Sequence, residues 1–469
     1  MALGRCGIFF LRPVDLKEGV RVGSTQFACF LVCRVCIHIQ RGFPPKRNSL
    51  GRSCVVCPAF AIRNRPVRFA SDSTGCIFDI KDVLTNWDLI EDGAKMGLSW
   101  LLNDFICNDL YAPFVVKLDN DYYSRLMEKY NIVLNQAEKA GADDGSLAII
   151  KKYRNKILEA LRSYYKADIA KSNTIIRNLV SEVRSDPFAV AKLDESWAFP
   201  GNRSQEIQFF RSRTGSPSSA YAAKEMLHLP KSLRSKTGSY RFSIPGSPAY
   251  YLANSSYGCW IETGFPPEID FNGSPVVLDG TQKILNLAIN VRDFGGLDGF
   301  DEGRVHCWLK LFMLMIATSY RIDEADRTFK SEYIVPQAIM MACKKHGLDG
   351  VAYYSRRVED DVFARCAVNL ALFVNYDQHK DYSPLIKHMK IDDSFNYALY
   401  KQLSPSLRCR DYELRSVDHA YITNIGSYDR QHPYRETEFF EFDRYLFATW
   451  KGKTNGRGKD VLPWGVSVD

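Results

Sequence analysis

The stretch RFSIPGSPAYYLANSSYGCWIETG, residues 241–264, decides how this chain folds and which chemistry it can carry. It opens on Arg241, passes through a Pro-Gly turn and continues into the strand-like run AYYLA. A short helical segment follows and ends near Glu262. One short segment therefore supplies an arginine, a turn, an aromatic strand and a carboxylate.

Strand-like runs recur on both sides of this stretch and alternate with helical patterns. Residues 304–320 and 335–347 read as helices, with Pro336 suited to a first helical turn and Gly347 to a helix end. The alternation predicts an α+β fold built on a mixed β-sheet. The strand-like runs are IQFFRSR, AYYLA, KILNLAINV, DGVAYYS and VNLALFVNY.

Upstream of this domain the sequence is mainly helical. Apolar residues between 150 and 180 recur close to every 3.6 positions, and the turn GADDGS at 141–146 separates them from an earlier helical run. Composition changes again at the linker-like segment 195–205. We therefore predict four regions: a basic Cys-rich extension at 1–75, a helical region at 76–195, the α+β domain at 201–376, and a C-terminal extension at 377–469 that packs on it.

The excess of positive over negative charge is confined to the start of the chain. The 469 residues carry a formal charge of +8, yet residues 1–70 contain twelve Lys and Arg and only two acidic residues. The remainder is therefore slightly acidic, which disfavours nucleic acid as the main partner. No apolar run approaches the roughly 20 residues that a membrane span needs. We expect a cytoplasmic protein without a membrane partner.

Cysteines are concentrated near the start of the chain, where seven of the 13 lie at or before Cys76. The pairs Cys33/Cys36 and Cys54/Cys57 have the spacing of a four-thiolate structural zinc site, with Cys29, His38 and Cys76 as substitutes. Neither pair has the glycine that commonly follows a zinc knuckle. Two alternatives stay open: an unfolded extension with incidental thiols, or translation assigned from too early a start codon.

The candidate site residues come from the α+β region. Arg211 and Arg213 share one face of a strand-like segment, and arginines bind phosphates through paired hydrogen bonds. Tyrosines such as Tyr251 offer stacking surfaces, and a carboxylate such as Glu262 can stabilise positive charge on a sugar carbon. Each residue also has an ordinary explanation, because surface arginines and helix-end carboxylates are common. We expect His228 to have a core or loop role rather than to line the site.

Arginine, glutamate and serine occur here in the order that characterises one family. The block 241–264, together with FFRSRTG before it and EYIVPQAIMMACKKHGLDGVAYYS after it, resembles the RES family. The resemblance covers about residues 206–376 and implies a fold related to ADP-ribosyltransferases. Many members have Trp-Asn where this chain has Phe242-Ser243, so the acceptor stays open between phosphate, water and a macromolecule.

The resemblance implies an enzyme that degrades NAD by cleaving its nicotinamide–ribose bond, as a phosphorylase or glycohydrolase, in a toxin or defence role with an antitoxin or regulatory partner. Two alternatives remain: ADP-ribosyl transfer, and a zinc-ribbon interaction or nucleic-acid-binding protein with an inactive RES-like domain. The implied catalytic residues are Glu262, Arg211 and Ser355, and the implied substrate-binding residues are Arg241, Tyr251 and Arg213.

Overall fold

The computed structural model divides the chain into two compact units, Met1–Val83 and Leu84–Asp469. In the first unit it describes a short antiparallel hairpin of β1 (Ser71–Asp72) and β2 (Gly75–Cys76). The candidate zinc ligands Cys33, Cys36, Cys54 and Cys57 lie outside the described residues, as do Cys29 and His38. In the second unit the structure describes residues 110, 112–116, 121–199, 207–215, 220–289, 302–322, 327–357, 367–404, 421–422 and 432–453.

Three amphipathic helices form the region before the sheet: α1 (Tyr122–Lys139), α2 (Asp144–Tyr165) and α3 (Ile169–Ser181). Each begins at an aspartate whose carboxylate accepts a backbone N–H of the first turn, as expected for N-caps. Gly141 adopts a φ of +72° in the turn between α1 and α2. The predicted helical hairpin is therefore present.

A nine-stranded mixed sheet forms the centre of the fold. Its strands are β4 (Val190–Lys192), β5 (Ile207–Thr214), β6 (Ala249–Ala253), β7 (Phe271–Leu278), β8 (Lys283–Leu287), β10 (Gly350–Tyr354), β11 (Val368–Phe373), β12 (Met389–Ile391) and β13 (Phe395–Asn396). Their order is β12-β7-β5-β6-β11-β10-β8-β4, with β13 also pairing with β7. The pair β8 and β10 is parallel and the other neighbours are antiparallel. The predicted α+β fold is confirmed.

Strand β7 is absent from the sequence expectations, because its Gly273 and Pro275 are poor strand formers. The structure accommodates Pro275 at a gap in the outer edge. There β12 pairs with residues 276–278 and β13 with residues 272–273, so neither strand lies opposite the proline.

Shorter elements complete the described fold. The two-residue strands β3 (Phe114–Val115) and β9 (Tyr320–Arg321) pair in parallel, and β14 (Tyr421–Ile422) pairs with β15 (His432–Pro433). The described α-helices that follow β4 in the chain are α4 (Ala223–Met226), α5 (Ser256–Glu262), α6 (Glu302–Thr318), α7 (Ile334–Lys345), α8 (Tyr397–Leu403) and α9 (Glu438–Lys453). Among the helices that the structure describes, none is long and apolar enough to cross a membrane.

The two faces of the sheet can be told apart by their buried side chains, because successive strand residues point to opposite faces. The back face carries a cluster that includes Ile207, Phe209, Tyr250, Leu252 and Leu370, which we call the back cluster. The front face carries two clusters side by side.

The first front cluster, the helical cluster, joins α6 and α7 to α1, α2 and α3. Its largest members include Trp308 and Phe312, whose rings stack at 4.7 Å, and strand residue Phe373 lies at its base. The second, the aromatic cluster, is built from α5, α8 and α9 over β5 and β7. Its members include Phe210, Tyr397, Phe439 and Phe442. The site described below lies on the front face between these two clusters.

Candidate functional site

The turn before β6 is held rigidly by hydrogen bonds. Ser243 Oγ accepts the backbone N–H of Ala249 at 2.8 Å and lies 2.8 Å from the Tyr251 hydroxyl. Gln337 of α7 donates its side-chain amide to the carbonyl oxygens of Tyr240 and Ser243. Burial raises the pKa of the Tyr251 hydroxyl. Tyr251 therefore serves as a fixed, neutral ring at this position.

Arg241 is anchored by two backbone carbonyls, one at the end of α6 and one in β9. Its Nη1 donates to Thr318 O at 2.6 Å and its Nη2 to Tyr320 O at 2.7 Å. The guanidinium lies 5.5 Å from the centre of the Tyr333 ring. Since a guanidinium has five N–H donors, these two bonds set its orientation and leave other donors for a ligand.

Glu262 is the last residue of α5 and is half-buried. Its Oε1 accepts a hydrogen bond from Asn369 Nδ2 at 2.6 Å. The start of the same helix is capped by Ser255 Oγ, which accepts Gly258 N–H, and by Asp443 of α9, which accepts Ser256 N–H. Contacts at both ends of α5 therefore position the Glu262 carboxylate.

Ser355 follows β10 directly and is buried. Its backbone N–H donates to Ala367 O at 2.8 Å, which extends the β10–β11 ladder by one residue. Ser355 is then a diagonal cross-strand neighbour of Asn369 on the front face, a relation that typically spans about 7–8 Å. The serine hydroxyl and the Glu262–Asn369 pair consequently lie on one surface.

Two buried tyrosines, Tyr353 and Tyr333, interact electrostatically with both Arg241 and Glu262. Burial raises the pKa of the Tyr353 hydroxyl, Glu262 and Tyr251 add to the rise, and Arg241 opposes it. Burial also raises the pKa of Tyr333, which interacts with both Arg241 and Glu262. The structure thus brings together four of the predicted residues: Arg241, Tyr251, Glu262 and Ser355.

The structure does not bring Arg211 and Arg213 to this face. They share the parity of Ile207 and Phe209, which belong to the back cluster, and β5 pairs with β7 without interruption. Arg211 lies 5.2 Å from the Tyr250 ring centre and donates Nη1 to Tyr251 O at 2.8 Å. The RES resemblance implies that Arg211 and Arg241 both bind the pyrophosphate, whereas the strand parity of Arg211 places it on the face opposite Tyr251.

Arg213 lies over Tyr221, with its guanidinium carbon 5.2 Å from the ring centre. The strand pattern correctly places both β5 arginines on one face. It cannot identify that face, because both faces of this sheet are covered by buried clusters.

Two residues that the sequence analysis did not select join the site. Asn369 is a buried amide within the apolar run VNLALF, a pattern that could have drawn attention. Arg356 follows Ser355 and is only 5% exposed. Burial, with a smaller contribution from Arg241, lowers the pKa of Arg356 to about 9. The sequence shows only that an arginine directly follows the predicted serine, and the burial of that arginine is known from the structure.

His228 and His306 lie outside this arrangement. His228 is buried, with Nδ1 2.9 Å from Leu229 O, and its Nε2 accepts Ser383 N–H. Burial lowers the pKa of His228 to about 4, so it is a neutral core histidine, as expected. His306 lies 3.6 Å from Asp143 and 3.8 Å from Glu302, an arrangement of partly exposed groups at the ends of two helices.

A mixed sheet with a carboxylate, an anchored arginine, a tyrosine and a serine on one face defines an α+β domain suited to an anionic, sugar-bearing ligand. Residues 213–392 match the family model of the RES domain, which confirms the resemblance over that part of the chain. The matched range contains Arg213, Arg241, Tyr251, Glu262 and Ser355. It begins just after Arg211 and ends before α9.

Two known proteins are similar to parts of this chain. A Bacillus subtilis (strain 168) protein named as a candidate toxin, YopC, is 28% identical over 198 residues, which are 39% of this chain and 42% of that protein. The chain thus matches less than half of the length of that relative. A crystal structure of the M. tuberculosis MbcT–MbcA toxin–antitoxin complex is 16% identical, with a TM-score of 0.23, over 43% of this chain and 90% of the solved chain.

Proposed function

We propose that the RES domain degrades NAD by breaking the bond between nicotinamide and ribose, and that the protein acts as a toxin. The observation that carries the proposal is the Glu262 carboxylate, half-buried and held by Asn369 on the surface that also presents Arg241 and Ser355. The RES match and the similarity to a candidate toxin support it.

The reaction would proceed through a ribose carbon that becomes positively charged as the bond breaks. The electron pair of the C–N bond leaves with nicotinamide, which becomes neutral. Glu262 stabilises the developing charge on the ribose, as carboxylates do in glycoside cleavage. Water or phosphate then bonds to the same carbon, and attack by water releases a proton.

The other residues bind and orient the dinucleotide in this proposal. Arg241 offers its remaining N–H donors to a phosphate, and its two carbonyl contacts keep those donors in place. The Tyr251 ring provides a flat packing surface, and the Ser355 hydroxyl reaches a ribose or phosphate oxygen. Arg211 acts from the back face as a positioning residue, through its bond to the Tyr251 carbonyl.

The proposal is tested by incubating the purified full chain with NAD and measuring free nicotinamide. Glu262→Gln should lower turnover by about 100-fold to 1,000-fold or more, since one electrostatic stabiliser is removed. The matched control is Glu268→Gln, which changes an exposed carboxylate paired with Lys401 near the same helix. Equal turnover by wild type and Glu262→Gln would contradict the assignment.

The products identify the acceptor. ADP-ribose indicates hydrolysis, ADP-ribose-1-phosphate indicates phosphorolysis, and a modified macromolecule indicates ADP-ribosyl transfer. The proposal also includes an antitoxin partner, which the RES resemblance implies. Co-expression with such a partner should restore growth that the wild-type chain suppresses, whereas Glu262→Gln should not suppress growth.

A further inference from the structure

Arg356 is a buried guanidinium with unused hydrogen-bonding capacity. It is 5% exposed, and neither Nε nor Nη2 has a hydrogen-bond partner among the residues that the structure describes. These two atoms carry the N–H groups along one edge of the guanidinium, and that edge binds two oxygens of one anion side by side. The unused donors therefore match an anion that presents two oxygens side by side.

The charge of Arg356 is also poorly compensated. The neighbouring groups that interact with it include the cation Arg241 as well as Glu262, Tyr353 and Tyr354. Glu262 already accepts a hydrogen bond from Asn369. Within the part of the chain that the structure describes, Arg356 has no direct anionic partner; a buried cation of this kind is costly to maintain, and a bound anion would lower that cost.

The position of Arg356 connects it to the site. It follows Ser355, whose Oγ accepts the N–H of Arg357 in the same turn. Its electrostatic interactions with Arg241 and Glu262 place it within range of both. A ligand bound by the free edge of Arg356 would thus lie beside the surface that presents the proposed catalytic carboxylate.

We propose that Arg356 binds a phosphate oxyanion of the ligand through its Nε and Nη2 donors, next to Ser355 and Glu262. The oxyanion belongs either to the pyrophosphate of a dinucleotide or to inorganic phosphate, and the two share the oxygen geometry that the guanidinium edge recognises. The inference rests on the proposed function for the identity of the substrate, whereas anion binding itself is independent of turnover.

The experiment measures the thermal unfolding of the full chain with inorganic phosphate alone, with ADP-ribose alone and without ligand. Ligands that bind the folded state raise its melting temperature. Wild type should be stabilised by at least one probe, and Arg356→Met should bind that probe about tenfold to 100-fold more weakly. Arg125→Met is the matched control, because Arg125 is exposed and pairs with Glu128 on α1.

Stability without ligand separates a binding role from a structural one. Arg356→Met removes a buried charge that forms no ion pair among the described residues and keeps an unbranched side chain, so its melting temperature should equal or exceed that of wild type. Arg356→Lys retains the charge without the two-donor edge, and it provides the binding comparison if the methionine variant does not fold.

The response to the two probes identifies the source of the oxyanion. Stabilisation by inorganic phosphate indicates an acceptor site, and stabilisation by ADP-ribose alone indicates a pyrophosphate site. The proposal is overturned if neither probe stabilises wild type, or if Arg356→Met and Arg356→Lys respond as wild type does. Absence of nicotinamide release would refute the proposed function while leaving these binding results intact.

Discussion

The two clusters on the front face differ in composition. The helical cluster is mostly aliphatic and is supplied by α6, α7 and the three helices before the sheet. In the aromatic cluster, ten of the fourteen buried residues are phenylalanine or tyrosine, most of them from α8, α9 and the segment between them. Residues outside the RES match contribute to both clusters, since α1–α3 precede it and α9 follows it.

Each cluster holds a different part of the site. The helical cluster side holds Arg241, through the carbonyls of Thr318 and Tyr320. The aromatic cluster side holds Glu262, through α5 and its contact with Asp443. The distance and orientation between Arg241 and Glu262 therefore depend on how the two clusters pack against the same sheet.

The largest expected effect comes from removing one large ring from each cluster. Phe312 and Phe442 are both fully buried; Phe312 stacks near Trp308, and Phe442 contacts Tyr397 and Tyr400. Phe312→Ala and Phe442→Ala should each lower the free energy of unfolding by about 3–5 kcal/mol. Denaturant unfolding of both single variants and the double variant provides the measurement.

The double variant tests whether the clusters are independent. The two clusters share no residue, so the losses should add to within about 0.5 kcal/mol. A larger deviation would mean that the clusters form one cooperative core across the site. The helical and aromatic clusters could then not be treated as two separate cores.

The second prediction concerns the carboxyl group that joins α9 to α5. Asp443 accepts Ser256 N–H and the Tyr434 hydroxyl, and burial raises its pKa from 3.8 to about 7. The folded state therefore retains this proton to higher pH than the unfolded chain. The resulting stabilisation is complete below about pH 4 and is lost as the pH rises to about 7.

Asp443→Asn should make stability less dependent on pH in that window, because each unit of raised pKa corresponds to about 1.4 kcal/mol. Unfolding is measured from pH 4 to 8. If stability of Asp443→Asn depended on pH as steeply as that of wild type, the assigned role of Asp443 would be excluded.

Asp143→Asn is the counterpart on the helical side. Burial raises the pKa of Asp143, but hydrogen bonds from Ser146 and His306 outweigh it and lower the value. That variant should lose stability above about pH 4.

Much of the local structure could be predicted from the sequence because it depends on neighbouring residues. The block 241–264 forms the turn, strand and helix that its pattern indicates, and Pro336 lies in the first turn of α7. The α+β fold likewise follows from periodicity and turn chemistry, which tertiary contacts only reinforce. The resemblance to the RES family rests on the order of its arginine, glutamate and serine motifs.

The remaining features depend on contacts between distant parts of the chain. Asn369 reaches Glu262 across 107 positions, and Asp443 reaches Ser256 across 187. Asn369 is conspicuous as an amide in an apolar run, but no local pattern shows that Asn369 contacts Glu262 or that Asp443 contacts Ser256. The face of the sheet on which Arg211 lies also depends on distant residues, because it is set by the cluster that covers that side of β5.

The smallest expected effect tests the link between the sheet and the carboxylate. Asn369→Leu removes the amide that donates to Glu262 while suiting the apolar strand around it. Turnover of NAD should fall by about tenfold to 100-fold, the range expected for one hydrogen bond to a charged group, while KM changes little. Asn375→Leu is the control, because Asn375 is exposed just beyond the same strand. A change in KM with unaltered kcat would show that Asn369 contributes to substrate binding and does not position Glu262, and the carboxylate would then be held from the aromatic side alone.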